Sequence, residues 1–225
     1  MAQTQATSPG TIADNDSIGT AIWNFPERAA TQDGTFAIAD LGQSAISHYL
    51  VATNFGFALP VGATINGIVV EILRQENDLL DNIFDNAVRL VVGGNISSTD
   101  RSSSTEWNVN EVNYVSYGSS TDLWGETPSR GNVVASDFGV ALSAKATLGL
   151  LLTEAEVDHI RMTVYYTDNQ TTTSTTTTMS STSTSTTSTS TSTTSTSSST
   201  TSTSTSTTTT FPFGGTFSAG AVRQR

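Results

Sequence analysis

The chain has 225 residues, with 20 acidic residues against nine Lys and Arg, a formal net charge of −11, and no cysteine. The acidic balance excludes binding nucleic acid through its phosphate backbone and docking on anionic membranes. The missing thiols exclude disulfides and thiolate metal sites, and no stretch approaches the ~20 apolar residues of a membrane span, so no membrane insertion is expected.

Composition divides the chain into an N-terminal arm (residues 1–19), a globular block (20–168), a tether (169–210) and an aromatic C-terminal peptide (211–225). Residues 1–10 are polar and show no Sec-type leader, so synthesis and release in the cytoplasm are expected. Short strands are expected over 22–24, 35–39 and 48–53, with a turn at Asp33-Gly34. After Pro60-Val61-Gly62 the first long period-2 run begins: Ile68, Val70 and Ile72 alternate with Val69, Glu71 and Leu73. A second run sets Val88, Leu90 and Val92 against Arg89 and Val91, and ends at Gly93-Gly94. Strands over 113–117 and 138–143 follow, separated by Gly118-Ser119 and Pro128-Ser129-Arg130-Gly131. Residues 148–157 read as a helical turn, with Thr153 as its cap ahead of Glu154 and Glu156. The last run alternates through Ile160, Met162, Val164 and Tyr166. About eight half-buried strands without an amphipathic helix predict an all-β fold, an antiparallel two-sheet sandwich of jelly-roll type.

From 171 to 210 every residue is Ser or Thr except Met179. Such a tract has no apolar face, so burial cannot offset the entropy of ordering it. It reads as a spacer, roughly 35 Å long when coiled and roughly 125 Å when extended. Phe211, Phe213 and Phe217 then crowd into seven positions, with Arg223 and Arg225 behind them. Three aromatics at the end of a polar tether read as an attachment element that binds a partner.

For catalysis the chain offers two histidines, His48 and His159, both expected on sheet faces. Asp158 or Asp137 would have to complete a Ser-His-Asp arrangement, but no Gly-x-Ser-x-Gly elbow is present. Asp137-Phe138-Gly139 copies a kinase tripeptide without its companion motifs, and no phosphate-binding glycine loop occurs. The expectation is a protein that is not an enzyme and carries no cofactor. Calcium is the one metal with candidate ligands: Asp14 and Asp16 in one loop, and Glu76, Asp78, Asp81 and Asp85 around a strand connection. Trp107, Tyr114, Tyr117 and Trp124 would serve either a sugar-stacking platform or the core, and the core is the reading taken.

Several phrases occur together: Asp33-Gly34-Thr35-Phe36-Ala37, Ala52-Thr53-Asn54-Phe55-Gly56-Phe57, Pro60 to Ile68, Leu123-Trp124-Gly125, Asp137-Phe138-Gly139-Val140 and Val157-Asp158-His159-Ile160. Over roughly residues 20–168 the chain resembles a β-sandwich module that recurs in structural proteins of tailed phages and metagenomic viruses. The resemblance implies a virion context (fibre, decoration or tail-associated), with other virion subunits as partners and copies assembled as a homo-oligomer; a host-surface glycan is a further candidate partner. It carries over no functional residues. The alternative is a cell-surface carbohydrate-binding or adhesin module on a mucin-like stalk. Asn15-Asp16-Ser17, Asn95-Ile96-Ser97 and Asn169-Gln170-Thr171 form glycosylation sequons that suit it.

Overall fold

The longest alternating runs become the longest strands. A computed structural model describes residues 1–42, 45–77, 82–147 and 153–170. In chain order its elements are β1 (Ala2–Gln3), β2 (Thr11–Asn15), β3 (Trp23–Asn24), a 3-10 turn (Pro26–Ala29), β4 (Ala37–Asp40), β5 (Tyr49–Thr53) and β6 (Thr64–Glu76). They continue with β7 (Ile83–Val92), β8 (Asn95–Ile96), β9 (Val115–Ser119), a short helix α1 (Arg130–Val134), β10 (Gly139–Ala146) and β11 (Glu154–Thr167).

Pairing follows one rule through the last eight strands. β4 pairs β11, β5 pairs β10, β6 pairs β9 and β7 pairs β8, all antiparallel. This is one long hairpin rolled up, and rolling brings β11 beside β6 and β10 beside β7. The resulting orders, β4-β11-β6-β9 and β5-β10-β7-β8, are those of a jelly roll. β3 extends the first sheet beyond β4, β1 lies on the free edge of β11, and β2 extends the second sheet beyond β5. The inner faces meet in one core of Ile68, Val70, Ile72, Leu90, Leu142, Ile160 and Met162, each 0% exposed. At Gly67 and Gly139 only a hydrogen fits: a Cβ at Gly67 would stand 2.2 Å from the Ser120 carbonyl carbon, and one at Gly139 1.9 Å from the Ala52 carbonyl oxygen.

Three expectations change, and the arm finds its place. Residues 154–157 belong to β11 rather than to a helical turn, because Ala155 and Val157 face the core and pair with β4; residues 148–152 lie outside the described residues. Pro128-Ser129-Arg130-Gly131 opens α1 instead of forming a plain turn, because Ser129 and Asn132 make a reciprocal capping box. β4 begins at Ala37, since Asp33 Oδ1 accepts from both Thr35 N (2.9 Å) and Thr35 Oγ1 (2.6 Å) and holds the chain in a turn. Residues 1–19 contribute β1 to one sheet and β2 to the other, and so brace both.

The sandwich has two distinct ends. At the base, Ala2 pairs Tyr166 and Thr64 pairs Thr167; Asn169 donates to Gly62 O (3.0 Å) and Thr64 Oγ1 (2.7 Å). At the tip lie the end of β6, the start of β7, the end of β10 and the start of β11. The 13 residues of β6 separate the ends by about 40 Å.

Candidate functional site

A cleft of about 370 Å³ opens at the tip, lined by Phe84, Asp85, Ser102, Ser103, Ser104, Lys145 and Thr147. Phe84 and Lys145 are register partners on β7 and β10, so both side chains stand on the outer face of the second sheet. Ile46 bridges to Lys145 from the other side. The serines belong to the segment between β8 and β9, which leans over this face.

Backbone hydrogen bonds fix that segment. Arg101 N donates to Val88 O (2.8 Å), Trp107 N donates to Ile83 O (2.9 Å), and Asp100 Oδ1 accepts from Val88 N (3.0 Å) and Ser102 N (2.8 Å). Arg101 grips Asp122 with two bonds of 2.7 and 2.9 Å, and this hydrogen bonding holds the Asp122 carboxyl below its usual range. Among the described residues, the Ser102 and Ser104 hydroxyls and the Lys145 ammonium have no hydrogen-bond or ion-pair partner.

Behind the cleft, Asp85 points the other way, into the core. Its Oδ1 accepts from Trp107 Nε1 (2.9 Å) and lies 3.1 Å from Arg74 Nε; its Oδ2 accepts from Ser103 N (2.8 Å). Arg74 also donates to Tyr117 Oη (2.8 Å), and its guanidinium sits 4.7 Å over the Trp107 ring. Burial pushes the Tyr117 phenol well above its usual range, so it stays neutral.

Asp85 lies on β7 rather than in a loop, and both of its carboxylate oxygens accept from protein donors. Asp14 is likewise engaged, with His48 Nδ1 at 2.8 Å and Trp23 N at 2.8 Å, while Asp16 sits exposed in the turn after β2. Among the described residues, no three His, Asp or Glu side chains are grouped to hold a metal. Asp78 and Asp81 lie outside those residues, as do Phe211, Phe213 and Phe217. Trp107, Tyr117 and Trp124 are core residues. Tyr114 is half-buried.

A second cluster covers the outer face of the first sheet. His159 Nε2 lies 2.9 Å from Ser8 Oγ, and its Nδ1 lies 2.5 Å from Tyr114 Oη. Tyr114 donates its only proton to Gln32 Oε1 (2.9 Å). That donation fixes the tautomer: Nδ1–H donates to Tyr114, and Nε2 accepts from Ser8. Burial, and then the Arg161 charge, lower the imidazole below its usual pKa. Arg161 stacks 3.8 Å over the Tyr114 ring and forms two 2.9 Å bonds with Glu71. The Asp158 carboxylate serves the turn at Asp33 and Gly34 (3.2 and 3.0 Å), and Asp137 lies in the turn before β10. His159 therefore joins Ser8, Tyr114 and Gln32 rather than either aspartate, and clamps the arm and two loops to β11. Spacing alone had no means of bringing together residues 8, 32, 114 and 159.

No family model, curated protein or solved structure matches the chain.

Proposed function

We propose that the chain is a virion structural protein, a fibre, decoration or adhesion subunit that carries a jelly roll on a Ser/Thr stalk. The observation that supports this reading most is the polarity of the domain. The chain runs toward its Ser/Thr tract from the base, beside its own N-terminal strand, and the open cleft lies at the opposite end. β11, the strand that leads to the stalk, is paired with β6 at twelve positions and flanked by β4 and β1 on its other edge. Force applied along it loads those pairs together in shear, as a displayed module requires.

In this reading Phe211, Phe213 and Phe217 anchor the subunit to neighbouring virion subunits, and copies assemble as a symmetric homo-oligomer. Antibodies against residues 1–168 test the location. Gold label on purified particles is expected, displaced from their surface; label confined to the surface of the producing cell would support an adhesin instead. Changing the three Phe residues together to Ser should release the protein from particles, whereas halving the Ser/Thr tract should weaken function only gradually. Normal incorporation of the triple variant would refute the anchor.

A further inference from the structure

We propose that the tip cleft binds a pyranose bearing a carboxylate, with Lys145 as the residue that selects the acidic sugar. This deepens the display reading by naming the ligand class, and its test uses the purified chain without any particle.

The chemistry of the walls supports it. Lys145 is the only lysine in a chain with 20 acidic residues. It stands in a concave site without a carboxylate partner among the described residues, while four of the arginines hold one each: Asp85, Asp100, Asp122 and Glu71. A lone ammonium in an acidic protein provides a single point of positive charge. It suits one carboxylate better than a phosphate dianion, which the surrounding negative field would repel more strongly. Ser102 and Ser104 present hydroxyls that donate and accept, the capacity sugar hydroxyls need. Phe84, the register partner of Lys145, offers an aromatic face beside the cation for the apolar face of the ring.

The site is also built in advance. The serine segment is held from behind by the buried Asp85, through Ser103 N at 2.8 Å, and Asp85 is itself held by Arg74 and Trp107. A ligand therefore meets a backbone segment that is already positioned, which reduces the ordering cost of weak polar recognition. The volume of about 370 Å³ accommodates one or two sugar rings.

The test is a panel of immobilised glycans probed with the full chain, comparing glycans that differ only by a uronic or sialic-type carboxylate, its methyl ester, or a sulfate. Retention of the carboxylate forms is expected, at least tenfold above their esters, with sulfate forms weaker. Lys145→Gln should remove that tenfold preference, and Phe84→Ala should weaken acidic and neutral forms alike, with both variants keeping the wild-type Tm. Lys145→Arg should restore part of the preference. Equal binding of acid and ester, binding unchanged in Lys145→Gln, or no glycan retained would each overturn the proposal. Any of these results would leave the particle-labelling test of the display reading standing.

Discussion

Two polar clusters, one inside the sandwich and one on its outer surface, solve different problems with different chemistry. The inner one places a full ion pair, Arg74 and Asp85, between the sheets, both at most 2% exposed. Its charges are supported there by Trp107, Tyr117 and the Ser103 amide, although Arg74 Nη2 has no hydrogen-bond partner among the described residues. The outer one links Ser8, His159, Tyr114 and Gln32 through neutral groups and ties an arm and two loops to a strand. A buried charge pair is costly to break from one side. A neutral surface chain can be broken link by link. The inner cluster should therefore control global stability, and the outer one local attachment of the arm.

The largest effect is expected at the inner cluster. Asp85→Ala leaves Arg74 buried and uncompensated and frees the Ser103 amide, so it should cost about 3–5 kcal/mol. Denaturant unfolding reads this directly. The double variant Arg74→Met with Asp85→Leu should recover a large part of the loss, because the desolvated charges vanish together. An Asp85→Ala domain as stable as wild type would show that the pair contributes nothing to the core.

The outer cluster should respond to pH. His159 has a lowered pKa in the folded state, so the unfolded chain binds the proton more tightly. Its contribution to stability is complete above the unfolded value of about 6.5 and is lost as pH falls below it. Arg161 and Asp158 act on it with opposite signs, and Glu71 neutralises Arg161. The slope from one proton cannot exceed about 1.4 kcal/mol per pH unit. His159→Gln should flatten the stability profile between pH 6.5 and pH 5 relative to wild type. Identical profiles would exclude His159 as the titrating group.

Smaller again is the Ser8 link. Ser8→Ala removes one neutral hydrogen bond, and a cost of roughly 0.5–1.5 kcal/mol is expected. It should appear as faster amide exchange at Thr4 and Thr7, which donate to Val164 O and Met162 O at 2.9 Å, with little change at β6. Equal protection of the arm in both proteins would remove Ser8 from the clamp.

The two clusters also differ in how far sequence reveals them. Period-2 alternation placed the core strands, because Ile68, Val70, Ile72, Ile160, Met162 and Val164 repeat the geometry of a half-buried strand locally. The rolled hairpin followed in outline. β8 is only two residues long and carries no pattern, and β11 contains a bulge between Val157 and His159 that interrupts the alternation at the end of the stretch that reads as a helical turn. Asp85 sits at an inward position of a strand, yet an acidic residue among acidic neighbours reads as a loop ligand until Arg74 is known to lie opposite. The tip cleft was hidden for the same reason: Lys145 and Phe84 are 61 positions apart, and only the register of β7 with β10 makes them neighbours. Nonlocal pairing carries this information, and no spacing in the chain records it.

The smallest effect is expected from the largest deletion. Residues 171–225 are about a quarter of the chain, yet the described residues already hold a continuous hydrophobic core that runs from Ile12 to Val164. Among the described residues, the last bonds to the base come from Asn169 and Gln170, to Gly62 O, Thr64 Oγ1 and Val61 O. A chain ending at Gln170 keeps all of them. A Ser/Thr tract offers no apolar surface to bury, so its removal takes away no hydrophobic stabilisation. Truncation after Gln170 should therefore leave the denaturant midpoint and its slope unchanged, and the β-type circular dichroism band should strengthen per residue. Truncation after Thr167 should cost slightly more, because it deletes the three contacts at the base. A fall of several degrees in Tm on removing residues 171–225 alone would show that the terminal segment packs on the domain, and the division of labour between a self-sufficient sandwich and a separate anchor would then have to be abandoned.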